Sequence, residues 1–328
     1  MASVRRLLLA SALAMTISAC SSTAAPKSRV DTDSTLVTAL DGLPELADGT
    51  VMFTDWAAYG HQRSDVFAAK LVDIDDQVQR DLGFHPTDAE WELEVWQPGK
   101  ASTAVLQFAD LDLSGLPGRL ARFGYHADGS VYTGKIDESR LWTIGARFIG
   151  TDPGRHRLVV GTDEKLVRSM LTATPHPLSR AEALTPLLAA AQSRRVVTAA
   201  ITVGSATCVQ LADVISKGRA TPEMIQAVRA KFPGTFTTPQ AQLTAVTTPT
   251  GTAGFDALAF TDEHTAKANR DGRSAAMNTF SSMGGVPGIQ ITDSAVDGRV
   301  LSFELATQDP KAIRDRVMTR TLGLDLCP

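Results

Sequence analysis

Trp91-Glu92-Leu93-Glu94-Val95, Gln97-Pro98-Gly99-Lys100 and Ala104-Val105-Leu106-Gln107-Phe108 form the stretch that decides the fold class. Trp91, Leu93 and Val95 alternate with Glu92 and Glu94, the pattern of a strand with one face buried and one face wet. Pro98-Gly99 supplies a turn and 104–108 a return strand, so an antiparallel hairpin is expected. Alternation turns Trp96 away from Trp91. Trp91, Trp142 and Phe148 read as core, whereas Trp96 on the outer face is placed to meet a partner or another part of the chain.

Before the hairpin, Thr50 to Trp56 is a short β-like run, and Ser64 to Leu82 carries apolar residues in a helical rhythm ending at Gly83. After it, Leu113 to Phe123 is expected to be helical, with Pro117 in its first turn. Strands through Tyr132, Leu141 to Phe148 and Leu158 to Val160 follow, and then a helix over Asp163 to Leu171 with Thr162 as its N-cap. Beyond the Pro-marked Thr174 to Leu178, an alanine-rich helix over Arg180 to Gln192 reads as a connector.

Then the order restarts. Val196 to Val203 is a strand; Cys208 to Ser216 and Pro222 to Lys231 are helical. Gln242 to Thr247 and Ala257 to Thr261 are strands around Pro249-Thr250-Gly251. A long helix over Thr265 to Met283 precedes a hairpin about Asp297-Gly298, and Pro310 to Leu322 is the last helix. Local echoes keep their order: Glu92-Leu93-Glu94-Val95 with Gln242-Leu243-Thr244-Ala245, Leu106–Asp110 with Leu258–Asp262, and Arg157–Val160 with Arg299–Ser302. The expected class is therefore α+β, two tandem similar units (36–172 and 196–328, joined by 173–195), each an antiparallel sheet with helices packed on one face.

The amino-terminal end carries an address. Arg5 and Arg6 precede an apolar run from Leu7 to Ile17, too short to span a bilayer and suited to a signal-peptide core. Ile17-Ser18-Ala19-Cys20 resembles the lipobox of bacterial lipoproteins, with Ile17 where that motif more often has Leu. The resemblance covers about twenty residues and implies cleavage before Cys20, lipid on its thiol and attachment to the outer face of the cell membrane. One acyl chain binds a membrane marginally; two or three hold it at about 0.8 kcal/mol per buried CH₂. Residues 20–35, rich in small and polar side chains, read as a flexible tether with a reach on the order of 20 Å.

Removing residues 1–19 leaves 309 residues, enough for a large core or two ordinary domains, and takes the formal charge from −4 to −6. Such a balance, without long basic runs, argues against nucleic acid as a partner and leaves membrane attachment to the lipid. Nine lysines against twenty-three arginines, with abundant alanine, point to a GC-rich, actinobacterial source. With Cys20 lipidated, Cys208 and Cys327 remain, an even number in a compartment that permits disulfides, and a Cys208–Cys327 bond is expected.

Catalytic motifs do not stand out. Gly204-Ser205-Ala206-Thr207 lacks the second glycine of a nucleophile elbow, and Ser205 reads as a helix cap. There is no Ser-x-x-Lys. The histidines His61, His85, His126, His156, His176 and His264 are scattered without a zinc spacing. Asp110-Leu111-Asp112-Leu113-Ser114-Gly115 imitates half a calcium loop, but Ala121 stands where the bidentate glutamate belongs. Asp73, Asp75 and Asp76 read as a solvated helix face, and Gly284-Gly285-Val286-Pro287-Gly288 as a loop rather than a phosphate cradle. No cofactor, metal site or catalytic residue is assigned. The first expectation is a lipid-anchored, non-catalytic envelope protein that binds or scaffolds an extracytoplasmic partner. The alternatives are a binder of a small hydrophobic or lipid ligand, with a cleft between or within the units, and an enzyme whose residues meet only in three dimensions.

Overall fold

The computed structural model describes residues 34–59, 66–172, 174–211, 221–232, 236–282 and 288–327. The lipobox with Cys20, nearly all of the tether, His61, residues 212–216 and most of the 284–288 loop lie outside them.

Twelve strands form one antiparallel sheet. They are β1 (Gly49–Asp55), β2 (Trp91–Trp96), β3 (Thr103–Gln107), β4 (His126–Asp128), β5 (Val131–Thr133), β6 (Phe148–Asp152), β7 (Arg157–Gly161), β8 (Thr198–Val203), β9 (Ala241–Val246), β10 (Ala253–Ala259), β11 (Gln290–Asp297) and β12 (Val300–Ala306). Their order is β11-β12-β10-β9-β8-β1-β2-β3-β7-β6-β5-β4. The two halves of the sheet thus meet at the central pair β1–β8, in which Thr50 faces Thr202 and Met52 faces Ala200. The stretches that echo each other in sequence occupy β2 and β9, β3 and β10, β7 and β12.

The described helices are α1 (Thr35–Asp41), α2 (Trp56–Tyr59), α3 (Asp75–Leu82), α4 (Leu116–Arg122), α5 (Leu141–Ile144), α6 (Glu164–Leu171), α7 (Thr185–Ala191), α8 (Pro222–Arg229), α9 (Glu263–Ser282) and α10 (Ala312–Met318). They cover both faces of the sheet, not one. Leu36 and Leu40 of α1, Val167 and Met170 of α6, and Leu187 and Leu188 of α7 pack on the face that carries Phe53, Leu93, Val105, Ile201, Leu243 and Phe255. On the opposite face, Val78 and Leu82 of α3, Leu120 of α4 and Trp142 of α5 cover Ala104, Leu106, Leu158 and Val160. There too, Met277 of α9 and Ile313 of α10 cover Leu258, Leu301 and Phe303. Two-sided cover makes β2, β3, β8 and β9 almost wholly buried, so β2 cannot show the wet face that its alternation promised.

Several local expectations shift for identifiable reasons. Leu141 to Phe148 is not a strand: Leu141–Ile144 is one helical turn and the strand starts at Phe148. Helix α6 is capped by Asp163, whose carboxylate accepts from the Leu166 N–H, one residue after the expected Thr162. The first helix is regular only from Asp75. Upstream of it, the Phe67 and Ala68 N–H groups donate to the hydroxyls of Thr198 (2.9 Å) and Thr54 (3.1 Å), so residues 66–70 lie across the sheet instead of coiling. The alanine-rich connector is regular only over α7.

A disulfide joins Cys208 and Cys327, whose Cα atoms are 5.1 Å apart across 119 residues of chain. Beside it the Val209 N–H donates to the Asp325 carbonyl (2.8 Å) and the Cys327 N–H to the Val209 carbonyl (2.9 Å). The tail is thereby tied to the segment that follows β8.

Candidate ligand cleft over the central strands

Antiparallel register sets side chains in rows across the strands, and two neighbouring rows make the site. One runs Trp96, Thr50, Thr202, Gln242 across β2, β1, β8 and β9. The next runs Glu94, Met52, Ala200, Thr244, Asp256 and reaches β10. At 4.7–4.9 Å per strand, its two acids stand about 19 Å apart. The central residues Thr50, Ala200 and Thr202 are small, so the sheet surface is lowest over the β1–β8 pair. Trp96 stands at one side, and Val317, Met318, Arg320, Leu322 and Asp325, from the end of α10 and the tail, close the other. The result is a cleft of about 300 Å³, lined mainly by apolar surface. Trp96, 42% exposed, is where sequence alternation put it, facing residues of the other half.

Behind the cleft on the β9–β10 side lies a buried polar group. Asp256 is fully buried; one carboxylate oxygen accepts from the Gln242 amide (2.9 Å) and the Thr244 hydroxyl. Its other oxygen, Oδ2, has no hydrogen-bond partner among the described residues, and neither does Asp325 Oδ1 or the Thr202 hydroxyl. Burial pushes the Asp256 carboxyl up to about 7, against the hydrogen bonds from Thr244 and Gln242; the Asp325 charge adds to the rise. Burial likewise raises Asp325, while Arg320, Arg273 and backbone N–H groups at Gly323 and Asp325 pull it down.

Arg273 of α9 is fully buried nearby, and burial lowers its guanidinium to about 10. It donates to the carbonyls of Leu324 and Thr237 (the latter at 2.6 Å) and to Asn269 Oδ1 (3.3 Å), and lies 5.5 Å from the ring centres of Phe236 and Phe260. Its donors hold the tail and the residues before β9 in place. Arg320, at φ +53°, donates to the carbonyls of Ala206 (2.7 Å) and Cys208 (3.0 Å). Both arginines therefore serve backbone carbonyls, while the two acids beside them keep an oxygen without a donor.

On the β2 side the acids are closed in. Glu92 and Glu94 are buried, contrary to the wet face expected of them. The Lys70 backbone N–H (2.9 Å) and the Trp56 indole (3.4 Å) donate to Glu92. Burial, then the neighbouring Glu94 charge, pushes Glu92 up to about 8. Burial also raises Glu94, against hydrogen bonds from Ser102 and Trp96 and the Lys70 charge. The Lys70 ammonium donates to the Ser102 hydroxyl (2.6 Å) and carbonyl (2.8 Å); burial lowers its pKa, with Glu94 and Glu92 pulling it back.

No family model, curated protein or solved structure matches this chain. The site must be read from its own geometry.

Residues singled out in the sequence are dispersed. Ser205 is not a cap; its hydroxyl donates to the Asp48 carboxylate (2.6 Å), beneath the turn at Gly204, whose φ is +67°. There a Cβ would run into the backbone at Ala47 and Asp48, so glycine is required. Asp75 is not solvated: it is buried and 2.8 Å from His85 Nδ1, while Asp73 and Asp76 are exposed. His156 packs its Nδ1 on the Leu111 carbonyl (3.2 Å), and His126 and His264 are exposed. No group of three His, Cys, Asp or Glu suited to a metal occurs among the described residues.

Asp256, Arg273 and Asp325 were not singled out. A signal existed for the first: Asp256 interrupts the apolar run Phe255–Phe260, but a strand drawn from Ala257 leaves it outside.

Proposed function

We propose that this chain is a lipid-anchored protein of the bacterial envelope that holds a small, mostly apolar molecule in the cleft over β1, β8 and β9. The observation that carries the reading is the cleft itself. About 300 Å³ of space, walled by Trp96, Met52, Val317, Met318 and Leu322, lies between the sheet at β1, β8 and β9 and the segments that cover it. At roughly 30 Å³ per water-sized unit, it suits a ligand of about ten non-hydrogen atoms. Apolar lining with a few polar groups is the usual make-up of such sites.

The test is a titration of the mature protein with 1-octanol, followed by tryptophan fluorescence. Saturable binding is expected, and Ala200→Leu, which fills the floor, should weaken it at least tenfold. No saturable binding, or an unchanged Ala200→Leu, would remove the proposal.

The anchor rests on Ile17-Ser18-Ala19-Cys20 and the preceding apolar run. Cys20→Ala should release the protein from membranes or leave an uncut precursor; a mature-sized variant that still sediments with membranes would count against lipidation.

The chain reads further as two tandem units, 36–172 and 196–328, fused edge to edge at β1–β8. In support, β1-β2-β3-β7-β6 and β8-β9-β10-β12-β11 run outward from the centre in matching order. An experimental structure in which β1–β3 fails to superpose on β8–β10 would end that reading.

A scaffolding role has one observation in its favour: exposed Ile136, Leu141 and Ile144 lie together at α5, where the Asp137 N–H is tied to the Thr143 hydroxyl (2.9 Å). If Leu141→Asp leaves the size of envelope complexes containing the protein unchanged, the scaffolding reading falls.

A further inference from the structure

Granting a ligand in the cleft, we propose that it is an apolar amine, seated with its hydrocarbon part against Trp96, Met52 and Met318 and its N–H donors on the Asp325 side. The argument is one of unmatched donors and acceptors. Asp325 lines the cleft, is about nine-tenths buried, and keeps Oδ1 without a partner among the described residues. Directly behind Gln242 and Thr244, which also line the cleft, Asp256 keeps Oδ2 without one, and the Thr202 hydroxyl on the floor is likewise unpaired. Leaving a buried acceptor unmatched is costly, more so for a carboxylate.

The hydrogen bonds of the two nearest cations go elsewhere, although their charges act on the acids. Arg273 donates to the Leu324 and Thr237 carbonyls and Asn269, and Arg320 to the Ala206 and Cys208 carbonyls. Neither arginine donates a hydrogen bond to the unpartnered oxygens, which lie buried at the cleft lining and just behind it. An ammonium group brings up to three donors and a compensating charge. A hydroxyl brings one donor and no charge. A carboxylate brings a like charge against Asp325, with Arg320 as its only cationic neighbour among the lining residues.

The position of Asp325 is itself built. The Cys208–Cys327 disulfide and the paired Val209 and Leu326 hold the tail, and Arg273 grips the preceding carbonyl. A carboxylate held by a covalent link and a buried arginine, yet short of a donor, is a seat for a donor from outside.

The experiment compares three probes of one chain length, octylamine, 1-octanol and octanoate, titrated into the mature protein at pH 8 and into its Asp325→Asn variant. The expected order is octylamine at least tenfold tighter than octanol, with octanoate weakest. Asp325→Asn should abolish the amine preference, octylamine then binding no tighter than octanol, and a circular dichroism spectrum and urea midpoint close to the parent's show that the variant is folded. Octanol binding as tightly as octylamine would overturn the amine proposal while sparing the apolar cleft. Octanoate binding tightest would overturn it too, and would transfer the polar end of the site to Arg320. If none of the three binds, the cleft reading fails with it.

Discussion

Glu94 and Asp256 stand at opposite ends of one cross-strand row, and their surroundings differ. At the Glu94 end the chain between β1 and β2 folds over the sheet, and Lys70 brings an ammonium between Glu94, Glu92 and Ser102. Donors from Lys70 and Trp56 reach Glu92, and the polar group is sealed. At the Asp256 end the cover comes from the far end of the chain, through α10 and a tail fastened by a disulfide. The buried cation there, Arg273, binds the cover and not the acid. Buried carboxylates of one row thus belong to a closed structural cluster on one side and lie behind the lining of a cleft on the other. Where the cation goes decides which.

The largest way to break this contrast is to cut the tail loose. Replacing both Cys208 and Cys327 by Ala should lower stability by about 4–5 kcal/mol in the chain-entropy model for a loop of this length. It should also impair octanol binding, since Leu322 and Asp325 lose their fixed place. Urea unfolding of oxidised and double-Ala protein measures the first and the fluorescence titration the second. A double-Ala protein that retains full affinity would show that the tail does not wall the site.

A smaller effect sharpens the contrast through pH. Both Glu92 and Asp256 have folded-state pKa values above their ordinary ones, about 8 against 4.5 and about 7 against 3.8. The folded chain therefore keeps protons that the unfolded chain has released, and stability falls as pH rises from the ordinary carboxylate range through those values, then levels. Glu92→Gln should flatten the fall up to about pH 8, and Asp256→Asn the part up to about pH 7. With the amine probe present, the Asp256 part should shrink further, whereas the sealed Glu92 part should not respond. Urea midpoints from pH 5 to 9, with and without octylamine, read this directly. An equal response at both ends would erase the difference between them.

Much of the element order could be read from the chain, because it depends on neighbours in sequence. The hairpin about Gln97–Lys100, the turn at Asp297-Gly298, the long helix now bounded at Glu263–Ser282 and Pro117 in the first turn of α4 follow from periodicity and turn chemistry. The Cys208–Cys327 bond agrees with the expectation drawn from the cysteine count and the export reading, and the side on which Trp96 lies follows from alternation alone. The burial of Glu92, Glu94 and Asp256 could not be found that way. Alternation states which residues share a face of a strand, not what later covers it, and here both faces are covered by segments distant in sequence.

The cleft belongs to the same class of facts. Trp96, Thr50, Ala200, Thr202, Gln242 and Asp325 come from five separate stretches, and only the sheet register and the pinned tail bring them to one place. Local sequence fixes a strand's period and a helix's ends through interactions a few residues long. The match between an acid and its donor is settled across the whole fold.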